Sequence, residues 1–496
     1  MTDVHLRHLS YTQIQVIANP GIIMELADTL TFFAENYRYH PRFRSKVWDG
    51  KICLINRMTG VIYAGLAQRI KKFCDSNEYS FSFDDELLYD NVSVKEVEDH
   101  LDSLKLPDWL ERREYQVDAI VKCLRSRRRT LISPTSSGKS LIIYAITSWY
   151  KEHKALIITP TTGLVAQMES DLRSYGFEGT IATSIGGIDK AANIDADIVI
   201  TTWQSLSSGK RTMPKGWYDQ FGVVVADEAH HAKATELIKI LSAMENTPYR
   251  FGTTGTLGDH TLNRATIEGL FGPLFQTTTT KKLMDTGHVS KLKIKCIVLK
   301  YPEAERKEFN KSTFDPKAGK NRKKTYAEEI DYISNSESRM KFIKNLALSL
   351  KGNKLVFFRL KEHGKALNDA LEDLGNIFYI DGDVKAIDRE KFRHAMEDEE
   401  NAILVGSLGT ISAGFSVKRL HHMIAASPSK SKIKVLQSIG RMLRQHEEKT
   451  HAVLYDIVDD LSYKSSRNFT LNHFEERTKI YDAEEFDYRI YNVGLK

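Results

Sequence analysis

Residues 131–140 read LISPTSSGKS, and the ten that follow read LIIYAITSWY. Two aliphatic residues run into a loop of small polar residues that ends in Gly138-Lys139-Ser140. The segment after it carries enough apolar residues to be a helix with a buried face. A strand, a small-residue loop and a helix with lysine at its mouth form a cradle for phosphate. Backbone N–H groups of such a loop point inward, and the helix N-terminus adds a favourable dipole. Thr135, Ser136, Ser137 and Gly138 would wrap the phosphates, Lys139 would reach the β- and γ-phosphates, and Ser140 would offer its hydroxyl to Mg²⁺. The full pattern is G-x-x-x-x-G-K-[ST], and Ser133 stands here in place of the first glycine. Taken alone, the stretch also fits an ordinary loop with a surface lysine.

A second signal is VVVADEAHH at 223–231, about 90 residues downstream. An apolar strand ends there in Asp227-Glu228, and strand C-termini are where α/β sheets place their ligands. Asp227 suits a water-mediated contact to Mg²⁺, and Glu228 can position and deprotonate a water. Phosphoryl transfer also needs a cation for the charge of the transition state. In KIKVLQSIGRMLRQ, 432–445, Gln437, Arg441 and Arg444 fall at i, i+4 and i+7 on one helix face. A solvated stripe would look the same by itself; beside a phosphate loop and an acidic strand end, the arginines are candidate fingers.

The chain has 496 residues, 41% of them hydrophobic and 27% charged, the composition of a soluble globular protein of about three domains. The net charge of +6 says little, but its distribution says more. From Tyr37 to Phe73 there are nine Lys/Arg and one acid, Asp49; from Asp75 to Asp108 there are eleven acids against Lys95 and Lys105. The switch marks a candidate domain edge, and the acidic stretch is expected to let the rest of the chain fold without residues 1–90. Cys53, Cys74, Cys123 and Cys296 have neither metal-ligand nor redox spacing, which points to reduced thiols in a reducing compartment. No apolar run reaches the length of a membrane span, so a cytoplasmic, non-membrane protein is expected.

From residue 111 the pattern is strand, loop, helix, repeated. The runs TLIS, ALIIT, DIVIT, GVVVADE, LVFF, AILVGS and HMIAA are continuous rather than alternating, as in parallel strands buried on both faces. The fold class is α/β. A helix is expected over Val92–Leu106, with a Ser93/Glu96 capping box and Val94, Val97, Leu101 and Leu104 on its apolar face. The lysine-rich stretch Lys307–Lys324 is expected to be an exposed loop.

Together these residues resemble the superfamily 2 helicases over most of 111–460. REYQVDAI with Gln116 is similar to the adenine-reading motif, SPTSSGKS to motif I, TPTTGLVAQ (159–167) to motif Ia, and TTWQS (201–205) to a nucleic-acid-contacting motif. Asp227-Glu228-Ala229-His230 looks like motif II, Thr254-Gly255-Thr256 stands where motif III has Ser-Ala-Thr, LVFFRLKEHG (355–364) is similar to motif IV, SLGTISAGFSV (407–417) to motif V and QSIGRMLR (437–444) to motif VI. YRYHPRFRSKVWDGKICLI, QRIKKFCD and the late NHFEERTKIY look like the UvsW-type recombination and repair helicases of T-even-type phages.

The resemblance implies two RecA-like P-loop domains in tandem, 111–287 and 288–463, preceded by a small α/β (α+β) DNA-binding domain, 1–90. A linker helix, 91–110, and a helical tail, 464–496, complete the expectation. It implies ATP and Mg²⁺ as cofactors, with Gln116, Gly414 and Gln437 completing the nucleotide site and His230, Thr254 or Thr256 coupling it to domain closure. Single-stranded DNA would touch Pro160, Thr161, Gly187, Thr202 and Thr410, and branched duplex would touch Arg42, Arg44, Lys46, Trp48, Lys71 and Lys72. The implied activity is ATP-dependent remodelling of branched DNA: fork regression, Holliday-junction migration and R-loop unwinding, with RNA–DNA hybrids also in reach. The implied working unit is a monomer in a host-cell cytoplasm, with single-strand-binding or recombination proteins as partners. An RNA helicase, a restriction-type translocase subunit and a non-catalytic DNA-annealing protein are the other readings.

Overall fold

The computed structural model describes residues 2–184, 195–208, 211–214, 216–230, 235–258, 260–315, 320–412, 417–427, 431–443, 449 and 451–496. The candidate residues Gly187, Gly414 and Arg444 lie outside the described residues, as do the side chains of Gln437 and Arg441. The chain divides into two units, Met1–Thr278 and Thr279–Lys496.

A run such as ALIIT has no polar face, so a strand made from it must be covered on both sides. In the first unit, Lys154–Thr159, Ile198–Thr202 and Phe221–Ala226 are such strands. They join a parallel seven-stranded sheet in the order Leu274–Gln276, Arg128–Ile132, Tyr249–Thr254, Phe221–Ala226, Lys154–Thr159, Ile198–Thr202, Ile181–Ser184. One apolar cluster, with Ile142, Ile146 and Val225, covers one face; another, with Val224, Leu241 and Leu270, covers the other. The second unit repeats the architecture. Its parallel sheet runs Ile377–Ile380, Ile403–Ser407, Lys354–Phe358, His422–Ala425, His451–Asp460, Lys291–Lys300, Tyr488–Gly494. Among the described residues no helix is long and apolar enough to cross a membrane.

Residues 3–84 form a four-stranded sheet, Val61–Tyr63, Gln13–Ala18, Val4–His8, Phe81–Phe83, under the helices Pro20–Thr29 and Ala67–Ser76. This sheet does not stand apart from the first RecA-like sheet. Tyr11 N–H donates to Glu245 O at 2.9 Å, Thr12 Oγ1 to Met244 O at 3.2 Å, and Arg128 Nη2 to Tyr11 O at 2.7 Å. Arg69 pairs with Glu268 at 2.6 Å. Arg250, wholly buried, donates to Leu241 O, Met244 O and Leu270 O and reaches Thr12 Oγ1 at 3.5 Å. Gly65 approaches so closely that a Cβ there would stand 2.1 Å from Glu268 O and 2.6 Å from Gly269 O. The independence expected from the acidic stretch is therefore corrected: removing residues 1–90 would strip these partners from buried groups.

Three local expectations also change. The helix is Val94–Ser103 and its Ser93/Glu96 capping box is present, but Val94 is 49% exposed while Val97 and Leu101 are buried. The described residues of the lysine-rich insert carry regular structure: a helix, Glu303–Phe309, and the paired strands Thr313–Asp315 and Lys320–Arg322. Arg322 grips Glu328 at 2.7 Å, and Lys324 lies 4.7 Å from the Phe309 ring centroid. The tail is helical only over Phe469–Ala483, after which Tyr488–Gly494 becomes an edge strand beside Lys291–Lys300. Buried Glu329 fixes the start of that helix by accepting from Phe469 N and Thr470 N at 2.8 and 2.7 Å. Arg477 ties its far half to Asp456 on the sheet at 2.8 Å.

Gly65→Ala is expected to lower the stability of the full chain by about 1–3 kcal/mol, the usual cost of overpacking a close contact. Lys71→Ala, on the exposed face nearby, should leave it within about 0.5 kcal/mol of the parent. Denaturant unfolding of both variants checks this.

Candidate active site

The loop after Arg128–Ile132 is shaped by residues that accept unusual backbone angles. Gly138 has φ +77° and Ser136 has φ +67°. The positive φ favours glycine at 138, and a Cβ there would lie 2.3 Å from Gln116 Nε2 and displace the end of that side chain. Ser133 does not need to be glycine. It is fully buried, its N–H donates to Thr254 O at 2.8 Å, and its hydroxyl bonds Ser137 Oγ at 2.6 Å and accepts from Thr277 Oγ1 at 2.9 Å. The departure from the usual first glycine thus adds an internal tie to the loop.

The carbonyls of the loop are held from the start of the helix Glu114–Ser126. Gln116 Nε2 donates to Ser137 O at 3.0 Å, and its Oε1 accepts from Arg113 N at 3.0 Å. Tyr115 OH donates to Ser137 O at 2.9 Å, and Arg113 Nη1 donates to Ser136 O at 3.2 Å and to Tyr115 OH at 2.8 Å. Burial raises the Tyr115 pKa, so its phenol keeps the proton it donates. The sequence singles out Gln116 by its motif; it does not single out Arg113 and Tyr115, which bond carbonyls of the same loop.

At the end of Phe221–Ala226, Asp227 and Glu228 diverge. Asp227 Oδ1 accepts from Thr253 Oγ1 at 2.6 Å and from Glu228 N at 2.9 Å. Glu228 has φ +51°, a left-handed angle that costs a non-glycine residue roughly 1–2 kcal/mol. Its carboxylate lies 3.7 Å from Lys139 Nζ and 3.1 Å from His230 Nδ1. A carboxylate only accepts, and Thr254 Oγ1 sends its own hydrogen to Thr256 O at 2.8 Å, so the proton on this side of the ring sits on Nδ1, 2.9 Å from Thr254 Oγ1. Of the two candidate coupling hydroxyls, Thr254 therefore touches the acidic pair. Thr256 Oγ1 is buried without a hydrogen-bond partner among the described residues.

Burial drives the two carboxyls the same way, but their neighbours separate them. Asp227 is raised by burial and by the Glu228 charge beside it. Burial would raise Glu228 as well, yet Lys139 and His230 outweigh it and hold that carboxyl below the ordinary range. Glu228 is thus the ionised member of the pair, a hydrogen-bond acceptor on both oxygens. Lys139 Nζ also donates to Ser133 O at 3.4 Å, inside the loop it closes.

Ser140 Oγ meets Tyr175 OH at 2.8 Å. Tyr175, 7% exposed, closes the helix Thr162–Ser174 and packs its ring 5.9 Å from that of Tyr144. Nothing in the sequence pairs Ser140 with a tyrosine 35 positions away. Pro160 and Thr161 follow the strand Lys154–Thr159, and Thr202 ends Ile198–Thr202, with Thr202 opposite Thr159 in register. Thr161 and Thr202 each cap a helix with the side-chain hydroxyl. In the second unit, Thr410 Oγ1 accepts from Ser407 Oγ at 2.7 Å. In the N-terminal domain, Arg42, Arg44, Lys46, Lys71 and Lys72 are exposed, and Trp48 is half-buried with its Nε1–H on Lys51 O at 2.8 Å.

A phosphate-shaped loop, a buried strand ending in an acidic pair and a RecA-like sheet define the chain as a P-loop ATPase with helicase architecture. Residues 110–259 match the family model described as the type III restriction enzyme res subunit, and residues 3–84 match that of the DNA helicase UvsW N-terminal domain. The ATP-dependent DNA helicase uvsW of Enterobacteria phage T4 is 36% identical over 99% of this chain and 100% of its own. The crystal structure of T4 UvsW superposes with a TM-score of 0.50 at 33% identity, covering 100% of both chains. The DNA 3′–5′ translocase XPB2 of Sulfurisphaera tokodaii is 23% identical over 73% of this chain and 86% of its own. The chain belongs to the UvsW family of ATP-dependent DNA helicases, within helicase superfamily 2.

Tyr115→Phe is expected to weaken nucleotide binding by about 0.5–1.5 kcal/mol, the net worth of one hydrogen bond, while kcat changes less. Nucleotide titration alongside steady-state hydrolysis checks both values.

Proposed function

We propose that the chain uses ATP, with Mg²⁺, to translocate on and remodel branched DNA, and that Asp227-Glu228-Ala229-His230 acts as a DEAH box. The carrying observation is the ionised Glu228, held between Lys139 and the His230–Thr254 pair at the end of a buried strand. That geometry suits a base that orients a water toward a γ-phosphate. Thr135, Ser136, Ser137 and Gly138 would present the backbone of the loop to the phosphates, and Lys139 would exchange its contact with Glu228 for them. Ser140 and Asp227 are hard oxygen donors of the kind Mg²⁺ takes beside nucleotide phosphates. The metal would neutralise phosphate charge; the protein's part is to hold its ligands and its water. Gln116, already bonded to loop carbonyls, would report an adenine to the loop.

Gly414, Gln437, Arg441 and Arg444 would complete the site from the second RecA-like domain. Loss of the γ-phosphate would release the arginines, and Thr254, bonded to His230, would carry that change to the strand ends that hold DNA. Pro160, Thr161, Gly187, Thr202 and Thr410 would meet phosphates of a single strand, giving little sequence preference. Helix-capping threonines leave helix N-terminal amides to do this, which suits an anion. The basic N-terminal region, with Arg42, Arg44, Lys46, Lys71, Lys72 and Trp48, would hold duplex arms. Membership of a phage helicase family supports forks, Holliday junctions and R-loops as substrates, a monomer as the working unit, single-strand-binding or recombination proteins as partners, and the host cytoplasm as the place of action.

Lys139→Ala should abolish DNA-stimulated ATP hydrolysis and leave DNA binding largely intact. Glu228→Gln should keep nucleotide binding and lose turnover. Arg441→Ala and Arg444→Ala should bind ATP with modest loss and hydrolyse it roughly 10³-fold more slowly, the low end for arginine fingers. Near-parental turnover in both arginine variants would overturn the two-domain site. ATP-dependent unwinding of a fork, a four-way junction and an R-loop, side by side, tests the substrate assignment.

A further inference from the structure

The N-terminal domain carries an ordered lobe whose apolar surface faces outward. The antiparallel strands Thr31–Phe33 and Lys51–Cys53 form its stem, and Ala34 N–H closes it on Gly50 O at 2.8 Å. Inside, Tyr37 stacks on Phe33 at 4.6 Å and meets Phe43 edge-on at 4.9 Å, while Trp48 meets His40 edge-on at 5.2 Å. These contacts use up the aromatic residues that a small core needs. Tyr39 and Val47 are left out of them, 72% and 69% exposed. Phe33 and Ile52, on opposite faces of the stem, are 46% and 41% exposed, with Lys51 Nζ 5.3 Å from the Phe33 ring centroid.

Scattered apolar residues on a surface need no explanation, but several on one small lobe do. The lobe is also cationic. Arg42, Arg44, Lys46 and Lys51 are exposed on it, the Arg44 guanidinium lies 6.0 Å from the Tyr39 ring centroid, and its two acids are Asp49 and Glu35, the latter accepting from Asn263 Nδ2 at 3.0 Å. An occupant must therefore present apolar faces and dense negative charge within one lobe's reach. Continuous duplex DNA has the charge but hides its base faces in the stack. A branch point has both, because stacking is interrupted there and each arm brings its phosphates.

We propose that this lobe recognises the branch point itself, with Tyr39 and Val47 against the face of an unstacked base or terminal pair and Arg42, Arg44 and Lys46 on the flanking phosphates. The proposal rests on the reading that the N-terminal region binds DNA and adds the part of the DNA it reads. Trp48, whose indole N–H is spent on Lys51 O, supports the lobe from within. Tyr39 supplies the exposed ring.

The test compares the full chain with three variants on a fork carrying 2-aminopurine at the branch and on a continuous duplex of equal length, across salt concentrations. The parent should prefer the fork and raise 2-aminopurine fluorescence. Tyr39→Ala with Val47→Ser should keep duplex affinity and salt slope, lose the fluorescence rise, and weaken fork binding roughly five- to hundredfold, the range of base–aromatic stacking. Tyr39→Phe should behave as the parent. Arg42→Gln with Arg44→Gln should weaken both substrates and reduce the salt slope by about two, one for each phosphate no longer neutralised. Unchanged fork preference in the apolar variant overturns the proposal. So does an equal loss on fork and duplex, or a Tyr39→Phe variant as weak as the alanine one. If the arginine variant changes neither affinity nor slope, the reading that this region binds DNA fails instead.

Discussion

Gln116 Nε2 occupies the space that any side chain on Gly138 would need. That contact constrains much of the site. A loop can aim its N–H groups at an anion only if its carbonyls are drawn the other way and satisfied there. Gln116, Tyr115 and Arg113 draw the carbonyls of Ser136 and Ser137 outward, and Ser133 fastens the loop's first residue to Ser137, Thr254 and Thr277. Lys139 then lies at the first turn of its helix with Ser133 O and Glu228 in reach. The same preparation extends to the acidic pair. Thr253 holds Asp227, Thr254 meets His230, and these two threonines are consecutive on a strand whose neighbour, Arg128–Ile132, leads into the loop.

The small-residue loop, the acidic strand end and the seven short apolar runs were legible because their information is local. A strand buried on both faces must be continuously apolar, and a loop around phosphate must be small and glycine-bearing. Gln116 was legible through its motif, but the company of Arg113 and Tyr115 was not, since nothing in REYQ says which side chains bend back to a loop more than 20 positions later. Tyr175 was hidden for the same reason at longer range. The docking of the N-terminal sheet is the extreme case. Thr12 meets Met244 and Gly65 meets Glu268, pairs about 200 residues apart, and the charge switch between them suggested separation where the structure has contact.

Two smaller misreadings have physical causes. Val94 fits the apolar spacing of its helix but lies in the first turn, where the face has not yet met the core, and its exposure follows. The insert 307–324 is polar enough to read as a loop. What holds its described residues is a bidentate grip of Arg322 on Glu328, the residue that also completes the capping box of the helix Tyr326–Ser334, and a lysine over aromatic rings, interactions that composition counts as solvation.

Arg250 and Thr254 belong to one strand, Tyr249–Thr254. The first reaches Thr12 of the N-terminal sheet and the second meets His230 beside the acidic pair. A strand in the middle of a sheet hardly stretches, so these two ends keep their distance. The lobe proposed to face DNA and the loop proposed to face nucleotide are thus mounted on one chassis. In the proposed cycle, duplex held at the N-terminal lobe then keeps a fixed distance from the nucleotide loop, as a workpiece does in a clamp bolted to the bench.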